Sequence, residues 1–395
     1  MAVELENLYA ELDEKYEVTL LTRSCFHKMI SWIHMVEDKD FVSLLHGDEL
    51  VFNSGLHYVS EEWLKDFIVA LNREHSGGLI IALRDGMKIP QEIISYCNEI
   101  EFALFSATWK TPYIDIMRSF SVILLRNEQK QTNLSTALKN AIFFSDNEEL
   151  YVSLFEGNGF FRDLNYNIII LSCNVYNTEQ GNEKLAQIQR GLHYILKKRV
   201  VYEENNRLII LTTGCSEREL LEAFQKICEK DDNIYVGIGT TVRDIREIHK
   251  SYERAYTAYQ LTKAPIKKNI LVYEELGIYK ILSDIKEPEI YPRFVEETLG
   301  SLIDYDKKYG TDYVKLLEMF FQNECNIVET AKATFCHKNT MAYKINKIKE
   351  ILGYDIMKNE NRVKIMVAYY IIRAGIGFQD ATFSLGVPRF KCAER

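Results

Sequence analysis

Proline is scarce in this chain, six in 395 residues, which excludes a proline-rich linker protein or a low-complexity disordered one. No apolar run approaches the roughly eighteen residues that a membrane-spanning helix needs. The opening residues Met1 to Glu6 carry no signal-peptide pattern, so a cytoplasmic protein with no membrane partner is expected. The eight cysteines (Cys25, Cys97, Cys173, Cys215, Cys228, Cys325, Cys336, Cys392) include no CxxC pair. That excludes the common zinc and dithiol motifs and predicts buried, reduced thiols. Positive charge is short too. At a formal net charge of −9 the chain is not coated in basic groups, and any contact with nucleic acid must be local.

What is present is a well-packed chain, 47% hydrophobic and 395 residues long, enough for about two to four domains. Charge is unevenly spread. Asp312 to Arg373 carries a net +3, leaving −12 for the remainder, a distribution that suits a basic reader attached to an acidic sensor.

The basic segment reads as a helix-turn-helix. A helix over 312–322 would place Leu316, Leu317, Phe320 and Phe321 on one side. A second, from about Asn326 to Thr334, would put Ile327, Val328 and Ala331 inward, with small Ala331 letting the next helix cross closely. In that next helix, from Asn339 onward, Met341, Ile345, Ile348 and Leu352 recur at steps of four, three and four, one stripe facing a core. The opposite side carries Asn339, Tyr343, Asn346 and Lys347, able to offer amide and ammonium groups to base edges, with Lys338, Lys344 and Lys349 flanking it where phosphates would lie. Asn339 and Thr340 open the helix, where free backbone N–H groups suit a phosphate. An ordinary amphipathic helix with a solvated lysine face is the alternative. A further apolar helix over 362–373 closes the bundle.

Thr330 and Ala331, the run His337 to Thr340, and Tyr343 to Ile345 resemble the helix-turn-helix of the purine catabolism regulator (PucR-type) family. The approach segment, Leu302 to Asp306 and Tyr309 to Thr311, resembles it too. Lys338 and Lys344 stand where the family usually has arginine, and Ala342 where it has a basic residue. Lysine is a point charge without the planar fork that engages guanine, which implies looser binding or a different operator.

Residues 158–285 alternate strand and helix patterns: a strand at Asn167 to Leu171, helices over 181–196, 217–229 and 244–262, a hairpin over 200–211, and a strand over 234–239. The order predicts a mixed sheet with helices on one side. Val236 to Gly239, Ser251 to Glu253 and Ala255 resemble the GGDEF-like, nucleotidyl-cyclase-like domain of the same family. A working cyclase needs a glycine hairpin and carboxylates for two metal ions. Here Tyr202 to Asn206 has no glycine, and the neighbours Glu203 and Glu204 point to opposite faces. Gly237 and Gly239 are expected to form a strand-end turn. No cofactor and no metal site are expected.

Residues 1–125 form another α/β mixture, with strands near 29–36, 50–52 and 78–83 and helices over 60–73 and from Pro90. Trp32 to Glu37 and Gly47 to Gly55 resemble the family's N-terminal domain. The 47–55 loop joins acidic and amide groups beside a strand, and Trp32 and Phe52 offer a flat apolar wall for a planar ligand. The candidate effector residues are therefore Trp32, His34, Glu37, Glu49, Phe52 and Asn53. His27, His34, His46, His57 and His75 fit no compact ligand spacing. Residues 126–157 carry Leu134, Leu138, Ala141 and Phe144 at helical spacing, a stripe that a packed helix and a dimerising one would share.

The expected architecture is a multidomain α+β and α/β chain. Residues 1–125 form an effector-sensing α/β domain, 126–157 a helical linker, 158–285 a degenerate GGDEF-like mixed-sheet domain, 300–373 an all-α helix-turn-helix domain and 374–395 a tail. The resemblance implies a non-enzymatic, effector-responsive regulator of transcription, with double-stranded DNA, a purine or purine catabolite and a second copy of the chain, as a homodimer or higher homo-oligomer, as its partners. The rival is a nucleotide-binding signalling protein or cyclase-like enzyme whose C-terminal bundle mediates protein contacts.

Overall fold

Two five-stranded sheets and a C-terminal helical bundle organise the chain in the computed structural model, which describes residues 2–12, 14–23, 26–174, 178–264, 268–285, 287 and 289–375. All but the first two residues of the expected tail, 374–395, lie outside the described residues. The chain divides into two compact units, residues 1–136 and 137–395.

In the first unit β1 (Val3–Glu4) leads into α1 (Leu5–Ala10) and pairs with β3 (Met29–Ile30). The main sheet has the order β2 (Thr19–Leu20), β7 (Leu104–Thr108), β6 (Gly78–Leu83), β5 (Glu49–Asn53), β4 (Trp32–Met35). Strands β4 to β7 are mutually parallel, and β2 runs against β7. Burial on both faces explains the apolar runs of the inner strands. Val51, Leu79, Ile81 and Leu104 pack with α2 (Glu61–Arg73) and α3 (Gln91–Glu99). The alternate residues Leu50, Phe52, Ile80 and Phe105 pack with α1 and with Ile116, Phe120 and Leu124 of α4.

Helix α4 (Tyr113–Phe143) is 31 residues long and the division between the units falls within it. It starts well before the expected linker. Leu134, Leu138 and Ala141 of the predicted stripe are buried, but Phe144 lies just beyond the helix and is exposed. Helix α5 (Val152–Glu156) follows.

The second sheet has the order β12 (Ile270–Val272), β11 (Ile234–Ile238), β8 (Tyr166–Cys173), β10 (Arg207–Thr213), β9 (Arg199–Glu204), with only the β11–β12 pair parallel. Helices flank both faces, not one as the order of elements predicts. Leu185, Leu192, Leu220 and Phe224, from α6 (Thr178–Ile195) and α7 (Glu217–Cys228), pack on Ile169, Leu171, Val236 and Ile238. Helix α8 (Ile248–Thr262) covers the other face. The two glycines of β11 explain how it does so. A Cβ at Gly237 would overlap the Ala255 carbonyl and the Tyr259 nitrogen, and one at Gly239 would overlap the Ser251 carbonyl. These glycines serve close helix–sheet approach rather than the strand-end turn expected of them. Ser251 completes the seam, its Oγ accepting from Ile168 N at 3.0 Å and donating to Thr240 O at 2.7 Å.

Helices α9 (Tyr279–Ser283), α10 (Ile290–Tyr309), α11 (Tyr313–Gln322), α12 (Ile327–Ala333), α13 (Lys338–Leu352) and α14 (Asn359–Ala374) complete the unit. Their common core includes Leu299, Leu302, Leu317, Phe320, Met341, Ile345, Ile365 and Ala368. Among the described residues no helix is long and apolar enough to cross a membrane.

Replacing Gly237 by Ala forces α8 off the sheet, and a cost of about 1–3 kcal/mol is expected from such overpacking. Urea unfolding of the full chain measures it. An unchanged midpoint would show that α8 accommodates the methyl group and that the glycine is not required for the approach.

Candidate functional site

The candidate site is the outward face of α13, and three local devices hold it. At the end of α10, Gly310 takes the left-handed conformation (φ +63°), where a side chain would be strained. The chain then turns into α11, whose first N–H groups have no helical partner. The Asp306 carboxylate, one turn back on α10, satisfies them: it accepts from Tyr313 N at 2.9 Å and Val314 N at 2.8 Å, and from the Thr311 hydroxyl. A negative group here also meets the positive end of α11. Tyr305 stacks on Tyr313 across the corner, centroids 5.7 Å apart.

The second device sets α12. Asn326 caps it, its Oδ1 accepting from Val328 N and Glu329 N. Ala331 is buried as expected, and so is Thr330, which donates to Asn326 O at 2.7 Å. Val328, expected inward, is 38% exposed. The turn into α13 bends at Phe335, a non-glycine residue at φ +52° whose side chain is fully exposed, and closes with Cys336 N donating to Ala331 O at 2.9 Å.

The third device is the cap of α13. His337 Nδ1 accepts from Asn339 N at 3.3 Å, so the helix begins at Lys338, one residue before the expected start. Met341, Ile345, Ile348 and Leu352 are all buried. Their burial leaves Asn339, Tyr343 and Asn346 on the opposite, exposed side, with Lys338 and Thr340 exposed at the first turn. Lys344 and Lys347 are half-buried at the margins. Lys347 pairs with Glu350 at 2.9 Å, and that hydrogen bond, with the carboxylate charge, raises its pKa. Its ammonium is therefore held on the helix rather than free to reach outward. The Tyr313 phenol is pushed up first by burial and then by the neighbouring Tyr305, Tyr343 and Asp306. Asp306, Phe335 and His337 cannot be found from periodicity. The short segment of Gly310, Thr311 and Asp312 between two apolar helices was the available signal for the first.

The hairpin that would be catalytic in a cyclase is closed by Asn205 and Asn206 at φ 50° and 57°, the primed turn that asparagine tolerates. Glu204 accepts from the Tyr202 hydroxyl at 2.8 Å and sits 4.0 Å from Arg207, while Glu203 is exposed. The Arg207 guanidinium lies 5.7 Å over the Tyr256 ring, and Lys139 of α4 lies 5.8 Å over Tyr202. Phe143 meets Tyr252 edge-on at 5.7 Å. The end of α4 thus rests on this hairpin and α8. Among the described residues no group of three His, Cys, Asp or Glu is placed to hold a metal ion.

The six candidate effector residues do not share one pocket. Phe52 is fully buried in the core against Tyr113 and Phe120. Trp32 and His34 are exposed on edge strand β4. Glu49 is buried at the start of β5, where it accepts from His46 N at 2.7 Å. Only Glu37 and Asn53 come together, at the ends of β4 and β5, where Asn53 Nδ2 donates to Val36 O at 2.8 Å and Glu37 O at 3.3 Å.

Three family models match the chain: the purine catabolism regulatory protein-like family over residues 12–124, a GGDEF-like domain over 158–261 and the PucR C-terminal helix-turn-helix domain over 313–371. Three curated relatives come from Bacillus subtilis (strain 168). The proline-responsive transcriptional activator PutR is 22% identical over 77% of this chain and 75% of its own. The DNA-binding transcriptional activator AdeR is 25% identical over 50% of this chain and 49% of its own. The purine catabolism regulatory protein is 29% identical over 25% of this chain and 18% of its own.

The corner device is testable by Asp306→Ala. Losing a charged acceptor from two backbone donors is expected to cost about 2–3 kcal/mol, read as a lower urea midpoint, with Asp306→Asn intermediate. A midpoint equal to wild type for both variants would show that Asp306 does not fix α11.

Proposed function

We propose, for a chain that belongs to the PucR-type family of transcriptional regulators, that α13 reads operator DNA from the major groove and that an effector bound to the first unit controls it. The observation that carries this reading is the exposed face of Asn339, Tyr343 and Asn346, opposite a fully buried stripe and capped so that its first turn points outward. Amide groups at that position suit adenine edges, and Lys338 and Lys344 suit phosphates. The N–H groups of the first turn add an anion-binding end, in which His337 already holds Asn339 N.

Helix-turn-helix readers usually act as symmetric dimers on paired half-sites, and a homodimer working in the cytoplasm is proposed here. The target genes are proposed to serve catabolism of purines or related nitrogen compounds. PutR answers to proline by its name and another relative to purine catabolism, so the effector class proposed for this chain is a small nitrogen compound. Catalysis is not part of the proposal, because the hairpin carboxylate Glu204 is engaged by Tyr202 and the hairpin has no glycine to admit a nucleotide.

Fluorescence anisotropy on duplexes from the promoters beside its own gene tests the reading. Lys344→Ala is expected to weaken all sequences together and to lower the salt slope by about one for each phosphate no longer neutralised. Asn339→Ala is expected to relax base preference, costing roughly 1–3 kcal/mol on the preferred site only. Unchanged affinity when Lys338, Lys344 and Lys347 are all alanine would exclude α13 as the reader. The purified chain is also expected to release no cyclic or linear nucleotide product from GTP or ATP with Mg2+ or Mn2+. Steady product formation would overturn the regulatory assignment of the middle domain.

A further inference from the structure

Four parallel strands of the first unit, β4 to β7, end at one edge of their sheet. At this edge the chain places a carboxylate, Glu37 after β4, and a guanidinium, Arg84 after β6. Neither is ion-paired among the described residues. Glu37 accepts from Ser54, through its Oγ at 2.8 Å and its backbone N at 3.2 Å. Arg84 lies 5.1 Å over the indole of Trp109, which follows β7. Two opposite charges at one sheet edge, neither neutralised by the other, suit a ligand that carries both signs.

The edge is also cross-tied by hydrogen bonds. Trp109 Nε1 donates to Ser54 O at 2.8 Å, so the indole that carries Arg84 is tied to the residue that holds Glu37. Fully buried Asn53 clamps both loops, donating to Val36 O and accepting from Gly55 N at 2.8 Å. Gly55 sits at φ +73° with its Cα against the Ala82 carbonyl, where a Cβ would overlap that oxygen. Preorganisation of this kind lowers the entropy cost of binding. Leu56 and Met87, in the loops after β5 and β6, are exposed apolar side chains on the same loops as these groups.

We infer that this edge is the effector site and that its ligand is a zwitterionic amino acid, whose carboxylate meets Arg84, whose ammonium meets Glu37 and whose side chain lies on Trp109 and Leu56. A neutral planar base satisfies neither charge. The inference rests on the effector-responsive reading given above and narrows its ligand class. It also supplies a route outward, since the loop from Trp109 to Pro112 leads directly into α4, and Tyr113, the first residue of that helix, donates to Asn53 O at 3.2 Å beneath the site.

The test is thermal stabilisation and calorimetric titration of the full chain with the common L-amino acids, with their amides and N-acetyl forms, and with hypoxanthine. At least one free amino acid is expected to raise the melting temperature, while its amide and N-acetyl derivative do not. Glu37→Gln and Arg84→Gln are each expected to weaken that binding by about tenfold or more. Glu99→Gln, exposed at the far end of α3, is expected to leave it unchanged. DNA binding without ligand, measured on the same variants, shows that they fold and keeps a failure here distinct from a failure of the DNA reading. No response to any amino acid, equal binding of an amide, or hypoxanthine binding that survives both substitutions would each overturn the inference.

Discussion

The Asp306 carboxylate fixes the corner on which the helix-turn-helix end of the molecule depends. It stands at the close of α10 and saturates the opening N–H groups of α11, so the angle between the two helices is set by hydrogen bonds as well as packing. Leu317 and Phe320 of α11 then enter the same core as Met341, Ile345 and Ile348 of α13. With that stripe buried, α13 has no freedom to roll, and the residues on its other side are presented outward by necessity. Charge complements the arrangement, since the bundle from Asp312 to Arg373 is net basic in a chain that is net acidic. Net positive charge in the chain is therefore concentrated in this segment.

The GGDEF-like middle domain builds its hairpin for packing. Its hairpin gives up the open glycine turn and becomes a docking surface, with Tyr202, Arg207, Tyr252 and Tyr256 meeting each other and the last turns of α4. Further along, Tyr279 meets Tyr370 of α14 edge-on at 5.5 Å, and Arg373 of the same helix pairs with Glu318 of α11 at 2.6 Å. Ala258 and Leu261 of α8 pack with Tyr279, so a chain of packed and charged contacts runs from the end of α4 to the helices that carry α13.

Much of this was legible in the residues. The four-three-four spacing in α13 has a single solution on a helix, and the structure buries those four side chains. The apolar runs of the inner strands at 50–52, 78–83 and 167–171 and the apolar side of α11 were equally plain. Helix α12 was harder, because at seven residues it has too few turns for its period to separate Val328 from Thr330. Gly237 and Gly239 carried a period-two signal of close approach that a turn reading passes over. The edge that joins Glu37, Ser54, Arg84 and Trp109 could not be read from spacing at all. Parallel strand order brings those residues together, whereas Trp32 and Phe52, which look like one wall in sequence, are separated because Trp32 pairs with Glu49 and so lies on the opposite face of the sheet from Phe52.

Selection from random duplex DNA by the purified full chain tests the central claim most directly. The account predicts enrichment of one motif whose half-sites recur at about one helical turn or a multiple of it, and disappearance of that enrichment when Asn339 and Tyr343 are replaced by alanine while the chain remains folded. Failure to enrich any sequence, or enrichment of the same motif by the substituted chain, would contradict it.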